Sequence, residues 1–339
     1  MAVGSDVRTV LPSYVAVGKE STWGTYASAT TAIEFISCSF KTEIESQKLD
    51  SIGLNRGFTK RVQLNKSVQG TLEMNLHTVE STPLIANALG GAVSTTAGST
   101  GAYVHSISAG NFNTGLSSLS FNVRKGADHV FRYMGGRVNV MKISAEAGDV
   151  VKASFDLIFK DSTQLSDDIS TSLSVTSTLP MTFVNGVFRY AATEAAAATT
   201  TAEEPIQGFE LEINNNLAAE SASRQLGSNL LSVLPPTRRE VNLTITQRWD
   251  TTTTFQRFIQ ATQGAVELYM RGNDSLTSDY FHEITIRLPK VFQNTSEPVL
   301  EGSDSVIQSE ITYDVLVDTP QTTTGKDIGI TIRNNVASY

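Results

Sequence analysis

The chain has 339 residues, of which 40% are apolar and 18% charged, so it can bury the cores of two ordinary domains. Its net charge of −8 excludes a basic nucleic-acid clamp, and its single cysteine excludes an intramolecular disulfide and a thiolate-rich metal site. No apolar run of about 18 residues is present, so we expect no membrane span, and the non-basic start predicts no secretory signal.

The N-terminal region predicts strands separated by turns. A short strand is expected near residues 14–17, and residues 33–40 alternate clearly, with Ile36, Cys38 and Phe40 on one side. We interpret Cys38 as a small buried hydrophobe rather than a nucleophile. Residues 41–66 follow as a long connection of mixed charge, and its second limb predicts an extended arm.

A strand that runs into a short helix is predicted over residues 67–91. Leu72, Met74 and Leu76 alternate with polar residues, which is the pattern of a half-buried strand. The period then changes, because Pro83 suits the first helical turn and the apolar residues after it share one helical face. Two glycines end the helix, which is too short to be stable unless it packs on a sheet.

Short strands at close spacing follow this unit. A loop of small side chains is predicted over residues 92–101, and a turn at Gly135 and Gly136. The strands are predicted over residues 102–108, 117–123, 130–134, 137–143 and 151–159. This density is typical of an all-β sandwich or barrel that carries one helix.

The second half repeats the same plan after a Ser/Thr/Asp-rich connection over residues 163–180. Residues 191–204 are low in complexity, and their threonines favour a mobile surface loop over a helical turn. Residues 240–264 predict a second strand-helix unit. Further strands are predicted over residues 181–190, 205–214, 266–271, 281–288, 307–317 and 328–332.

Three ordered correspondences indicate an internal duplication, although patterns of this kind also arise by chance among β proteins. Positions 36, 38, 40 and 44 correspond to positions 209, 211, 213 and 217, at an offset of 173. Repeats of this size are domain duplications. We therefore predict a mainly β chain of two tandem β-sandwich or barrel domains, each with one short flanking helix. The domains are residues 1–162 and residues 181–339, joined by a linker at 163–180.

The sequence carries no specific catalytic or metal-binding motif. None of the four histidines has a second histidine four residues on, and no HExxH, GxSxG or GxxxxGK[ST] motif is present. His282 lies in a strand pattern, where a structural role is the ordinary one. We expect no cofactor, no metal and no catalytic activity.

Basic residues concentrate in the two long connections, residues 41–66 and 215–239. Connections of this length usually bind something or are disordered. Their charges either serve solubility alone or form salt bridges with an acidic surface on a neighbouring copy. The residues concerned are Arg56, Lys60, Arg61 and Lys66 in the first connection and Arg224, Arg238 and Arg239 in the second.

Several blocks of sequence resemble the major tail tube proteins of siphophages, the phages with long non-contractile tails. They include VAVGKESTWG from Val15, SVQGTLEMN from Ser67, GFELEINNNL from Gly208 and RREVNLTIT from Arg238. The resemblance implies two tail-tube-type domains that polymerise into stacked six-domain rings around a channel for genome DNA. With two domains in each chain, three chains would complete a ring of pseudo-sixfold symmetry.

The same resemblance implies partners and a location. The partners are further copies of the chain, a tape measure protein and DNA in the lumen, and other tail proteins, in the tail of a virion assembled in the host cytoplasm. The basic residues of the two connections are then candidate ring-to-ring contacts. An acidic lumen would offer DNA phosphates no binding sites. The alternatives are another ring component, such as a tail terminator, baseplate hub or secretion-system ring, and an adhesive carbohydrate-binding β-sandwich.

Overall fold

A computed structural model describes residues 11–29, 31–50, 57–90, 93–98, 101–110, 115–126, 129–165, 173, 176–249, 252–277, 280–298, 300, 306–319 and 325–339. The first half contains β1 (Tyr14–Lys19), β2 (Thr31–Ile33), β3 (Ser37–Cys38), β4 (Lys41–Lys48), β5 (Arg61–Asn75), α1 (Thr82–Leu89), β6 (Val93–Ala97), β7 (Tyr103–Ser108), β8 (Leu119–Lys125), β9 (His129–Glu146), β10 (Lys152–Phe159) and β11 (Asp161–Leu165). The second half contains β12 (Gly186–Ala191), α2 (Glu194–Thr199), β13 (Ile206–Asn214), β14 (Glu240–Arg248), α3 (Thr253–Ile259), β15 (Gly264–Ser275), β16 (Phe281–Gln293), β17 (Gln308–Val315) and β18 (Gly329–Asn334). The prediction of a mainly β chain is confirmed.

One antiparallel sheet, which we call the inner sheet, runs through both halves. Its strand order is β3–β5–β10–β9 in the first half and β13–β14–β17–β16 in the second. The halves join where β9 pairs with β13, with Met141 opposite Ile213 and Ile143 opposite Leu211. The two halves therefore contribute strands to the inner sheet in the same order.

The outer layer is built differently in the two halves. In the first half β2, β1, β8, the N-terminal part of β9 and β11 pair in that order. In the second half the order is β12, β15, β16 and β18, and the β6–β7 hairpin of the first half then extends the sheet by pairing with β18. Strands β9 and β16 are long enough to belong to both layers, which closes each half into a sandwich.

The hydrophobic core is continuous between the halves. Phe40, Phe121 and Phe159 pack edge to face in the first half, with ring centroids 4.8 to 5.7 Å apart. The same cluster of buried side chains includes Leu211 and Ile245 of the second half. Strand pairing and core packing both cross between the halves, so neither of them marks a domain boundary. The boundaries at residues 162 and 181 therefore stay a prediction.

Besides the predicted strand over residues 33–40, which is broken between β2 and β3, three local predictions differ from the structure. Residues 130–134 and 137–143 form one strand rather than two, because Gly135, at φ +70°, forms a bulge opposite β8 instead of a turn. A carboxylate oxygen of Glu20 accepts the Gly135 N–H at 2.7 Å, and the Trp23 indole donates to the Gly135 carbonyl at 3.0 Å. Residues 93–97 form β6 rather than a loop.

The low-complexity segment is the third difference. Residues 194–199 form α2 rather than a mobile loop, and Thr193 accepts the Ala196 N–H at its N-terminus. Alanine has the highest helix propensity, and the Lys326 ammonium pairs with Glu194 at 2.9 Å. Among the described residues the second half thus carries two helices, where one was predicted.

Candidate assembly surfaces

The inner sheet has one face in the core and one polar face. Because side chains alternate along a strand, the register places every second residue of its strands on the polar face. One row across the sheet consists of Ser37, Glu73, Ser154, Lys142, Glu212, Asn242 and Asp314. The polar face therefore continues without interruption from the first half to the second.

Acidic residues outnumber basic ones on this polar face. The acidic residues are Glu73, Glu146, Asp156, Glu210, Glu212, Glu240, Glu310 and Asp314, and the basic residues are Lys142, Lys152 and the exposed Arg248 at the end of β14. Both lysines are engaged, since the Lys142 ammonium lies 2.6 Å from Glu212 and the Lys152 ammonium lies 2.8 Å from Asp149. The face as a whole carries a net negative formal charge.

The first long connection forms a hairpin that projects from the sheet. We call residues 45–65 the arm; residues 51–56 lie outside the described part of the chain. Its two limbs pair, with Lys48 opposite Arg61, and every residue of β4 is exposed. Phe58 and Val62 are also exposed, by 65% and 42%. An exposed element that carries apolar and basic side chains is typical of an interaction surface.

The candidate basic residues of the first connection have different surroundings. Lys60 and Arg61 are exposed on the arm. Lys66 lies at its base, where its ammonium is 2.5 Å from Asp161 and donates to the Ser162 carbonyl at 2.8 Å. Arg56 lies outside the described residues. Lys60 and Arg61 are thus neighbours on the surface, whereas Lys66 forms an ion pair within the chain.

The second long connection packs against the first half instead of projecting. Leu231 and Leu234 are buried in a small cluster with Leu116 of the first half. Arg224 donates to the Lys66 carbonyl at 3.2 Å, so it anchors the connection beside the base of the arm. The two connections, which the sequence analysis treats alike, have different structures.

The last two candidate residues are adjacent and differ. Arg239 forms a two-pronged ion pair with Asp327, with both nitrogen–oxygen distances at 2.9 Å, and donates to the Gly110 carbonyl. Arg238 is exposed. Sequence reasoning missed the partners Asp161 and Asp327 because they lie 95 and 88 positions from their basic residues.

His105 and His282 form hydrogen bonds within the fold. His105 is buried between Thr95 and Asn334, at 2.9 and 3.0 Å. The imidazole of His282 contacts the Thr78 hydroxyl at 2.6 Å, and burial lowers the pKa of His282. No cluster of three potential metal-ligating side chains occurs in the part of the chain that the structure describes. None of its described helices is both long and apolar enough to span a membrane.

Comparison with family models assigns the chain to a known family. A family model described as phage tail tube protein matches residues 13–332, which include both halves, the arm and the whole inner sheet. The search of curated proteins finds no match.

Proposed function

Because the chain belongs to the phage tail tube protein family, we propose that it polymerises into stacked rings that form a channel for genome DNA. The family is structural rather than enzymatic, and its members are components of the virion tail. The expectation of a tail tube protein is thereby confirmed at the level of the family. Beyond the family, we propose that the chain forms rings, that the rings enclose a channel and that the channel holds DNA.

The observation that carries the proposal is the continuous polar face of the inner sheet. A sheet with two free edges and an acidic face is suited to line a closed wall, since closure removes the edges. DNA phosphates find no complementary charge on such a wall and pass with little retention. The lumen would hold the tape measure protein before ejection and DNA during it.

The ring we propose contains three chains. Within one chain, β9 of the first half already pairs with β13 of the second. Repeating that junction between chains closes a ring of pseudo-sixfold symmetry after three copies, if residues 1–162 and 181–339 are equivalent domains. We propose that rings assemble in the host cytoplasm and meet other tail proteins at the ends of the tube.

Ring-to-ring contact is assigned to the arm. Lys48 and Arg61 lie opposite each other on its two limbs, and like charges in that position repel unless an acidic partner compensates them. We propose that Lys60 and Arg61 meet an acidic surface of the next ring, together with Arg56 and the exposed Arg238. Lys66, Arg224 and Arg239 would then support ring contacts indirectly, by holding the base of the arm and the second connection in place.

Electron microscopy of the purified protein tests the proposal. Negative staining should reveal long tubes, and cryo-electron microscopy should resolve three chains in each ring with an acidic lumen. Six chains in each ring would overturn the trimer, and a basic lumen would overturn the role of the polar face. Assembly that stops at a single ring would instead indicate a tail terminator or hub.

A further inference from the structure

We infer that neighbouring copies join through a lateral seam, in which α3 and the end of β16 of one copy receive residues 36–44 of the next copy. The inference rests on the proposed ring and names the surfaces that close it. The occupant is a second copy of this chain, because the same elements already meet once inside each chain.

The internal junction provides the template. Asn215, just after β13, donates to the Ala88 carbonyl of α1 at 2.8 Å and to the Val138 carbonyl of β9 at 3.0 Å. The segment that begins the second half of the inner sheet therefore bridges the helix and the edge strand of the first half. Residues 36–44 are the corresponding segment of the first half, at the offset of 173.

The receiving helices differ in burial. Thr82 begins α1 and Thr253 begins α3, so Leu84 and Ala88 correspond to Phe255 and Ile259. Leu84 and Ala88 are 0% exposed, whereas Ile259 is 61% exposed. The C-terminal end of α1 packs on β9 of its own half and is completed by Asn215 of the second half, whereas the same end of α3 is uncovered.

The inserting segments differ in the same direction. Phe209 and Leu217 are 6% and 9% exposed: Phe209 lies in the core shared by both halves, and Leu217 packs with Leu116 of the first half and Leu231 and Leu234 of the second. Ile36 and Ile44, at the corresponding positions, are 55% and 47% exposed. On each side of the proposed seam, apolar side chains are therefore exposed to solvent, whereas the corresponding side chains at the internal junction are buried. Covering such side chains is favourable because it removes apolar surface from water.

The edges of the inner sheet are also open. A groove of about 650 Å³ runs beside β3 and is lined by residues 35–41 and 123–126. At the opposite edge, the side chain of Gln293 is buried without a hydrogen-bond partner among the described residues. An unpaired buried amide is costly, and the main chain of an added strand would supply its partners.

The register of the seam follows from the template. Cys38 lies opposite Leu72 and Leu211 lies opposite Leu243, so Leu72 corresponds to Leu243. Their partners on the next strand, Phe155 and Tyr313, therefore correspond as well. Met141 lies opposite Phe155 and Gln293 opposite Tyr313, so the end of β16 corresponds to β9 near Met141. Because Ile143 faces Leu211 at the internal junction, we place Thr295 of one copy opposite Cys38 of the next. The two side chains would then be close enough for a disulfide if Thr295 were a cysteine.

Two exposed isoleucines test the seam. Ile259→Asp and Ile44→Asp should each abolish tubes in electron micrographs and leave monomers in sedimentation velocity, with an unchanged circular dichroism spectrum. The control Val184→Asp changes a side chain that is 78% exposed outside the seam, and it should form normal tubes. Combining Ile259→Asp with Ile44→Lys should restore assembly through a new ion pair.

A cysteine cross-link tests the register independently. The Thr295→Cys variant, oxidised after assembly, should give a denaturing-gel ladder of disulfide-linked chains that stops at trimers. Two results would overturn the seam but not the proposed function, provided that the wild-type chain forms tubes. One is that the Ile259→Asp variant forms normal tubes. The other is that the oxidised Thr295→Cys variant forms its disulfide only within single chains. Wild-type chains that never polymerise would overturn the proposed function and the seam with it.

Discussion

Arg238 and Arg239 are consecutive, and their surroundings separate two roles of basic side chains in this protein. Arg239 is partly buried and pairs with Asp327, whose side chain is only 8% exposed. Arg238 is exposed and free to meet a neighbouring copy. A charge that is paired inside the fold serves stability, whereas an exposed charge of the same type contributes little to it.

Replacing these arginines one at a time should distinguish the roles. Arg239→Ala leaves the Asp327 carboxylate buried without its partner, and we expect it to lower the free energy of unfolding by about 3 kcal/mol. Arg238→Ala should change it by less than about 0.5 kcal/mol. Urea unfolding of unassembled chains measures both effects. Equal losses for the two variants would contradict the assignment.

Cys38 offers a direct probe of the free sheet edge. Burial raises the pKa of its thiol, and the nearby Lys125 opposes the shift without cancelling it. Because the thiolate is the nucleophile, alkylation of unassembled chains should be slow near neutral pH and accelerate as the pH rises toward the raised pKa. Mass spectrometry should find Cys38 protected in tubes. Equal rates in tubes and free chains would show that β3 stays uncovered on assembly.

At the scale of elements, corresponding segments of the two halves have different structures. The second connection is held against the first half by Leu231, Leu234 and Arg224. The arm instead leaves its base at Lys66 and exposes every residue of β4. One connection thus packs within the chain, and the other is exposed, where we propose that it contacts the next ring.

Charge reversal on the arm should affect polymerisation and leave the fold unchanged. Lys60→Glu combined with Arg61→Glu replaces two exposed charges that make no ion pair within the described structure, so thermal unfolding should stay unaltered. The variant should raise the protein concentration needed for tubes, as measured by sedimentation. A charge-conserving control, Lys60→Arg with Arg61→Lys, should assemble normally. Tubes of normal length from the reversed variant would end the proposal for the arm.

At the scale of the whole molecule, the acidic face of the inner sheet decides how a tube would treat DNA. Glu310 and Asp314 are exposed on β17 and face the same side as Glu212. Their carboxylates would lie directly on the channel wall. Repulsion between such a wall and phosphate falls as salt screens both charges.

Reversing these charges should make the wall retain DNA. Tubes of a Glu310→Lys, Asp314→Lys variant should bind short duplex DNA at low salt and release it as salt rises, because each phosphate contact displaces counterions. Co-sedimentation of DNA with tubes measures this. The control Glu220→Lys adds positive charge away from the polar face and should retain less DNA. Equal retention by both variants would place the polar face outside the channel.

The sequence predicts those parts of the fold that local patterns specify. The alternation in β5 and the position of Pro83 are both short-range features. The pairing of β9 with β13 and the ion pairs of Lys66 and Arg239 join residues distant in the chain, which no local pattern encodes. The Gly135 bulge was predicted as a turn because its bonds to Glu20 and Trp23 cross more than 100 positions.

The position of β18 imposes an order of events on the synthesis of this protein. This last strand lies between β16 and β7, and residues 103–108 pair with residues 329–334 from the far end of the chain. A chain still being translated lacks β18, so the β6–β7 hairpin has no sheet to join. Nascent chains therefore cannot adopt the complete fold until residues 329–334 have been synthesised.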